Sequence, residues 1–236
     1  MRRFASPLYS PLREASLLHA AKTIFLFLSA LFPIVNPIGG SPIFLSLTRE
    51  YSRESRMLLA QRIALNSLIL LVVSFLIGTH ILAFFGISIP IVQIGGGLIV
   101  VSTGWAMLQR KEQDDKAEVH RTTPPQDVFE NAFYPLTLPL TVGPGSISVA
   151  ITLGANEPKG FGFDFVGIIA AIIAAAIIAV TIVIFYGFAD RLAKLLGATG
   201  MSVIMRLSSF LLVCIGVQIL WNGVSALLRT LPNVAH

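Results

Sequence analysis

The chain has 236 residues, of which 55% are hydrophobic and only 12% charged. Soluble domains carry about 25% charged residues, so this chain lacks the polar shell that a water-soluble protein of its length needs, and the bilayer becomes its expected solvent. Its net charge of +5 falls in short stretches between apolar runs, as orientation signals do. No basic helix with interleaved aromatics is present, which argues against nucleic acid.

Residues 1–16, with Arg2, Arg3 and Arg13, read as a flexible basic tail. No small-x-small cleavage site follows them, so the next apolar run is expected to be retained as a span. A helix crosses the hydrocarbon in about 20 residues, and six segments qualify: 17–48, 64–86, 88–109, 133–155, 166–189 and 203–228. The first contains Asn36-Pro37-Ile38-Gly39-Gly40-Ser41-Pro42. Proline removes a backbone donor and glycine relaxes the backbone, so the helix is expected to break there and restart with Ser41 as cap and Pro42 at its first position. The second span carries Asn66 and His80, the latter read as packed or interfacial. The third carries Gln93 and Gly97-x6-Gly104.

The polar segment 110–132 then reads as a cytoplasmic linker with no chemistry of its own. The fourth span holds the second break, Pro135-Leu136-Thr137-Leu138-Pro139-Leu140-Thr141-Val142-Gly143-Pro144-Gly145-Ser146, where Ser146 is expected to cap the restart. The fifth includes the small, apolar stretch 170–179, suited to close helix packing. The sixth holds Cys214, read as a small core residue, then Gly216-x6-Gly223, Gln218 and Asn222. The glutamines and asparagines read as interhelical hydrogen-bonding groups. Residues 229–236 form a C-terminal tail.

Counting Lys and Arg, the connections after spans one, three and five carry eleven against six on the other side. The excess places that set in the cytoplasm and both termini in the periplasm. Segments 17–109 and 133–228 share the glycine spacing and a broken first span. With three spans each, they are expected to insert as inverted repeats. The expected fold is therefore all-α and polytopic: six transmembrane helices in two inverted three-helix repeats, with the first and fourth helices broken.

Each restart exposes unpaired N–H groups and the positive end of a helix, suited to a carboxylate. The candidate substrate-binding residues are Asn36, Pro37, Gly39, Gly40, Ser41, Thr137, Thr141, Gly143, Pro144, Gly145 and Ser146. No Asp or Glu falls mid-span, so a carboxylate proton relay is not expected. No Ser/His/Asp set, metal-ligand cluster or phosphate loop is present, so neither an enzyme nor a cofactor is expected.

Several motifs in order resemble the MarC family: Asn36-Pro37-Ile38-Gly39-Gly40-Ser41-Pro42-Ile43-Phe44; Phe85-Gly86-Ile87-Ser88 with Gln93-Ile94-Gly95-Gly96-Gly97; Pro139-Leu140 with Gly143-Pro144-Gly145-Ser146-Ile147; and Gly216-Val217-Gln218 with Asn222-Gly223. Gly40 and Ser41 are smaller and more polar than that family's pattern. The resemblance implies six spans, an inner-membrane location, and a kinship in which some members are classed as transporters of small neutral amino acids. The expectation is alternating-access transport of a small polar or zwitterionic solute. The other readings are a membrane scaffold in envelope stress and a protein handling a lipid carrier; assembly as a homo-oligomer stays open.

Overall fold

The computed structural model describes residues 9–109, 132–157 and 163–230, and every element among them is helical. The segment expected as a linker lies outside the described residues except for Ala132, as do 1–8 and 231–236.

The first span is two helices, α1 (Tyr9–Val35) and α2 (Pro37–Leu47). α1 begins within the stretch expected as a tail. Only Asn36 separates the two helices, at φ 48° and ψ 55°. Asparagine tolerates this left-handed backbone better than most side-chain-bearing residues. Its Oδ1 accepts the Gly39 N–H at 3.0 Å, and Pro37 takes the first helical position, where an amide is dispensable. The cap is thus Asn36, a correction to the expected Ser41, which lies inside α2. Two Xaa-Pro start signals compete here, and the residue able to turn the chain left-handed wins.

α3 (Arg53–Phe84) starts well before the predicted 64, because a polar first turn capped by Ser52 extends it. After a turn at Gly86 (φ 67°) comes α4 (Ile89–Gln109).

The fifth element, α5 (Ala132–Thr141), is an interrupted coil, with extended backbone at Tyr134 and Leu138, whose hydrogen bonds reach back five residues. The Val142 N–H donates to the Thr137 carbonyl at 2.8 Å. The Thr137 and Thr141 hydroxyls reach the carbonyls of Ala132 and Leu136, at 2.6 and 2.7 Å. These bonds follow a tandem sequence, Tyr134-Pro135-Leu136-Thr137 and Leu138-Pro139-Leu140-Thr141. In each copy the residue before proline is extended and its peptide bond to proline is cis.

α6 (Pro144–Ala155) follows, bent 69° from α5. Gly143 precedes it with no side-chain cap. Ser146, expected as the cap, instead donates its hydroxyl to the Gly143 carbonyl at 2.9 Å. Proline at the first position sets the helix start, which leaves Ser146 in the first turn rather than before it. α7 (Phe163–Gly187) and α8 (Ala189–Leu228) complete the chain. Gly197 kinks α8 at φ 66°. Among the described residues five helical stretches are long and apolar enough to cross a membrane, six if the bent α5–α6 pair is counted as one span.

The largest packing pair is α4 with α8, then α3 with α7. α3 packs on α6 as α7 does on α2; α1 packs on α7 as α5 does on α3; α4 packs on α6 as α8 does on α2. Exchanging α1–α4 for α5–α8 therefore reproduces these pairs. Where α4 crosses α8, a Cβ on Gly97 would lie 2.6 Å from the Leu220 nitrogen and 2.7 Å from the Gly216 carbonyl. One on Gly216 would lie 2.7 Å from the Val101 nitrogen and 2.9 Å from the Gly97 carbonyl. Gly104 faces Ser209 and Val213, while Gly223 faces Pro90 and Ile94. Residue numbers rise along α4 as they fall along α8, so the two helices cross antiparallel about Gly97 and Gly216. Without a hydrophobic force between helices in lipid, such close backbone approach supplies the attraction.

The core joins Phe27, Leu31 and Val35 of α1 to Leu59, Ile63, Leu71 and Phe75 of α3 and to one face of α7. On α7 that face carries Ala171, Ala174, Ala175, Ile178 and Ile182, so the small stretch does pack closely. The opposite face of α7 exposes Ile172, Ile173, Val180 and Ile184. Cys214 is exposed too, not a core residue as expected. Lipid accepts apolar side chains as readily as the core does, so an apolar run does not tell inside from outside.

Candidate functional site

The two breaks meet through one side chain that sequence reasoning missed. Tyr186, near the end of α7, is fully buried. Its hydroxyl lies 3.1 Å from Thr141 Oγ1 at the second break. On its other side stands Gly40 of the first break, where a Cβ would lie 2.6 Å from the same hydroxyl. Its ring stacks on Phe44 of α2, with centroids 4.6 Å apart. The only clue in the sequence is a hydroxyl-bearing aromatic at the end of an otherwise Ile/Ala-rich run.

Around this bridge the expected residues divide. Thr137, Thr141, Ser41, Ser146, Pro37, Gly39, Gly40 and Gly145 are buried, Asn36 and Gly143 are half-buried, and Pro144 is exposed. At the first break the Gly39 N–H is taken by the Asn36 side chain and the Gly40 N–H by the Asn36 carbonyl, at 2.9 Å. Gly145 does not face the first break: it packs against Val100 and Gly96 of α4. The first turn of α6 has no side-chain cap.

Two hydrogen bonds between uncharged side chains join α3 to α5 and α4 to α6. Asn66 of α3 donates to Thr137 Oγ1 at 3.4 Å, the interhelical role expected of it. Gln93 reaches Thr152 Oγ1 at 3.5 Å, again between helices. Gln218 instead bonds Asn222 within α8, at 2.9 Å on an exposed face. Asn36 Nδ2, Ser41 Oγ and Ser67 Oγ are buried and make no hydrogen bond. A buried donor without a partner costs about 1–3 kcal/mol, a cost that a polar guest would lift. Among the described residues no three His, Cys, Asp or Glu side chains gather to hold a metal ion.

The fold and this centre define a class: a polytopic α-helical membrane protein with two interrupted spans meeting in its interior. Residues 21–228 match the MarC family of integral membrane proteins, and the chain belongs to that family. It is 33% identical over 219 residues to the UPF0056 inner membrane protein MarC of Citrobacter koseri, covering 89% of this chain and 97% of that one. The MarC of Escherichia coli is 32% identical over 217 residues, with the same coverage. A UPF0056 membrane protein of Methanocaldococcus jannaschii is 31% identical over 198 residues, covering 83% of this chain and 93% of it. No solved structure matches the chain. The relatives' names and the apolar helices agree on a multi-pass protein of the inner membrane.

Proposed function

We propose that this chain is a secondary transporter of a small neutral solute, a small neutral amino acid being the best fit, and that it performs no covalent chemistry. One observation carries the reading: two interrupted helices from opposite halves converge on Tyr186, among buried polar groups that lack partners. Irregular backbone at membrane depth is tolerated where it is buried in protein or lines a cavity. Discontinuous helices meeting at the repeat interface are how many transporters build their sites.

The site would offer hydrogen-bond donors without net charge. The uncapped first turn of α6 and the Asn36 amide suit a carboxylate, and the carbonyls deprived of donors by Pro37 and Pro144 suit an ammonium. The exchange of packing pairs and the antiparallel α4–α8 crossing support an inverted repeat. In that arrangement the sequence's charge count puts both termini in the periplasm, and alternating access rocks one half against the other. The test is counterflow in reconstituted vesicles. Loaded alanine or glycine should drive uptake of labelled solute, and folded protein showing no counterflow across a broad amino-acid panel would reject the proposal.

A further inference from the structure

Two polar clasps join the halves, one at each end of the bundle. On the face where α1 enters, His19 Nε2 of α1 lies 3.2 Å from Glu157 Oε2, just past the end of α6, within ion-pair distance but without hydrogen-bond geometry between the two atoms. The other carboxylate oxygen accepts the Thr23 hydroxyl at 3.0 Å. Gly167 of α7 leaves room for this carboxylate, since a Cβ there would lie 2.7 Å from Glu157 Oε2. The two side chains are only 14% and 20% exposed.

On the face where α2 ends, Arg56 of α3 pairs with Asp190 in the first turn of α8. Arg56 is buried. Its Nη2 donates to the carbonyls of Thr48 and Tyr51, at 2.8 and 3.2 Å, and its Nε to Thr48 Oγ1 at 3.1 Å. It thus closes the C-terminal end of α2, the half-helix that begins at Asn36, and fastens that end to the other half of the chain. Asp190 also sits where a helix start favours an anion.

We infer that His19–Glu157 and Arg56–Asp190 are the two gates of the transport cycle, both shut in this structure, and that each opens the central site to its own face alone. The inference rests on the transport reading, but its test needs no substrate. Successive spans alternate direction, so the two clasps lie on opposite faces with the helix breaks between them. Motion of one half against the other cannot admit water from a face while that face's clasp holds. In each clasp the carboxylate is the part that can be neutralised with least damage. Asp190→Asn leaves the Arg56 bonds to α2 in place, and Glu157→Gln keeps an acceptor for Thr23.

The experiment uses the full chain in vesicles, with Cys214→Ala to remove the native thiol and Ser41→Cys as a reporter buried at the first break. A membrane-impermeant maleimide is the probe. Exposed Glu50→Cys and Ser88→Cys, in separate variants, mark the two faces. Asp190→Asn should speed labelling of the reporter about tenfold or more from the Glu50 face only, as loss of a charge-assisted bond implies. Glu157→Gln, which removes the charge facing His19, should speed labelling from the Ser88 face only. Equal acceleration from both faces in either single variant would mean a loosened fold and would overturn the inference, as would unchanged labelling in both. Unchanged labelling beside intact counterflow rejects the gates alone. Sided labelling, with no counterflow by the protein that keeps Ser41, upholds the gates and rejects the solute.

Discussion

Tyr186 holds its position by two kinds of contact that substitution can separate. Tyr186→Phe removes the hydroxyl bonded to Thr141 and keeps the stack on Phe44. Thr141 retains its bond to the Leu136 carbonyl, so stability should fall by only about 1 kcal/mol, read as a small drop in Tm in detergent. Counterflow should fall far more than that. Gly40→Ala meets the same hydroxyl at 2.6 Å and should cost about 1–3 kcal/mol as overpacking. Combining it with Tyr186→Phe removes the obstructing oxygen, so the pair should cost clearly less than the sum of the singles. Asn36 tests the break itself. Asn36→Ala loses both the left-handed tolerance and the cap on Gly39, and should destabilise by about 1–2 kcal/mol. Asn36→Asp keeps the acceptor and most of the stability. It replaces the unpartnered amide with a negative charge, so solute uptake should be lost while thermal stability is largely retained.

At the scale of elements, the same contacts separate what was legible from what was not. The broken spans, the fold class and the glycine-rich faces could be read, because proline, glycine and long apolar runs act through local backbone chemistry. The choice of Asn36 over Ser41 as cap could not. Both are good caps, and only the left-handed turn at Asn36, set by how α1 and α2 pack, decides between them. Cys214 and the exposed Gln218–Asn222 pair escaped for a different reason: in lipid an outward helix face is as apolar as an inward one. Arg56 read as an orientation charge, and its partner Asp190 lies 134 positions away, beyond any local pattern. The glycines give the sharpest test of the element contacts. Gly97→Ala or Gly216→Ala drives a Cβ into facing backbone and should lower stability by about 1–3 kcal/mol or more. Gly95→Ala, two residues from Gly97, meets nothing within 4 Å. It should be neutral or stabilising by up to about 1 kcal/mol through its effect on helix propensity. Protease resistance in detergent would rank the three.

For the whole molecule, the pairing of elements is carried mostly between the halves rather than within them. α4 rests on α8, α3 on α7, and each broken helix on helices of the other half. Neither half should be stable by itself. Two separately expressed chains, divided within 110–131, should recover each other in the membrane and co-purify. Failure to co-purify, with both pieces inserted, would count against this division of contacts.

The crossing of α4 and α8 has a consequence for origins. Each helix brings glycines seven residues apart, and each reads the other in the opposite direction. A chain of half this length, inserted both ways up, could have formed the same junction with a sister copy. Fusion would then have fixed in one polypeptide what had been an encounter between two, freeing the sides of the centre to diverge: an asparagine on one, paired Pro-Leu-Thr steps on the other.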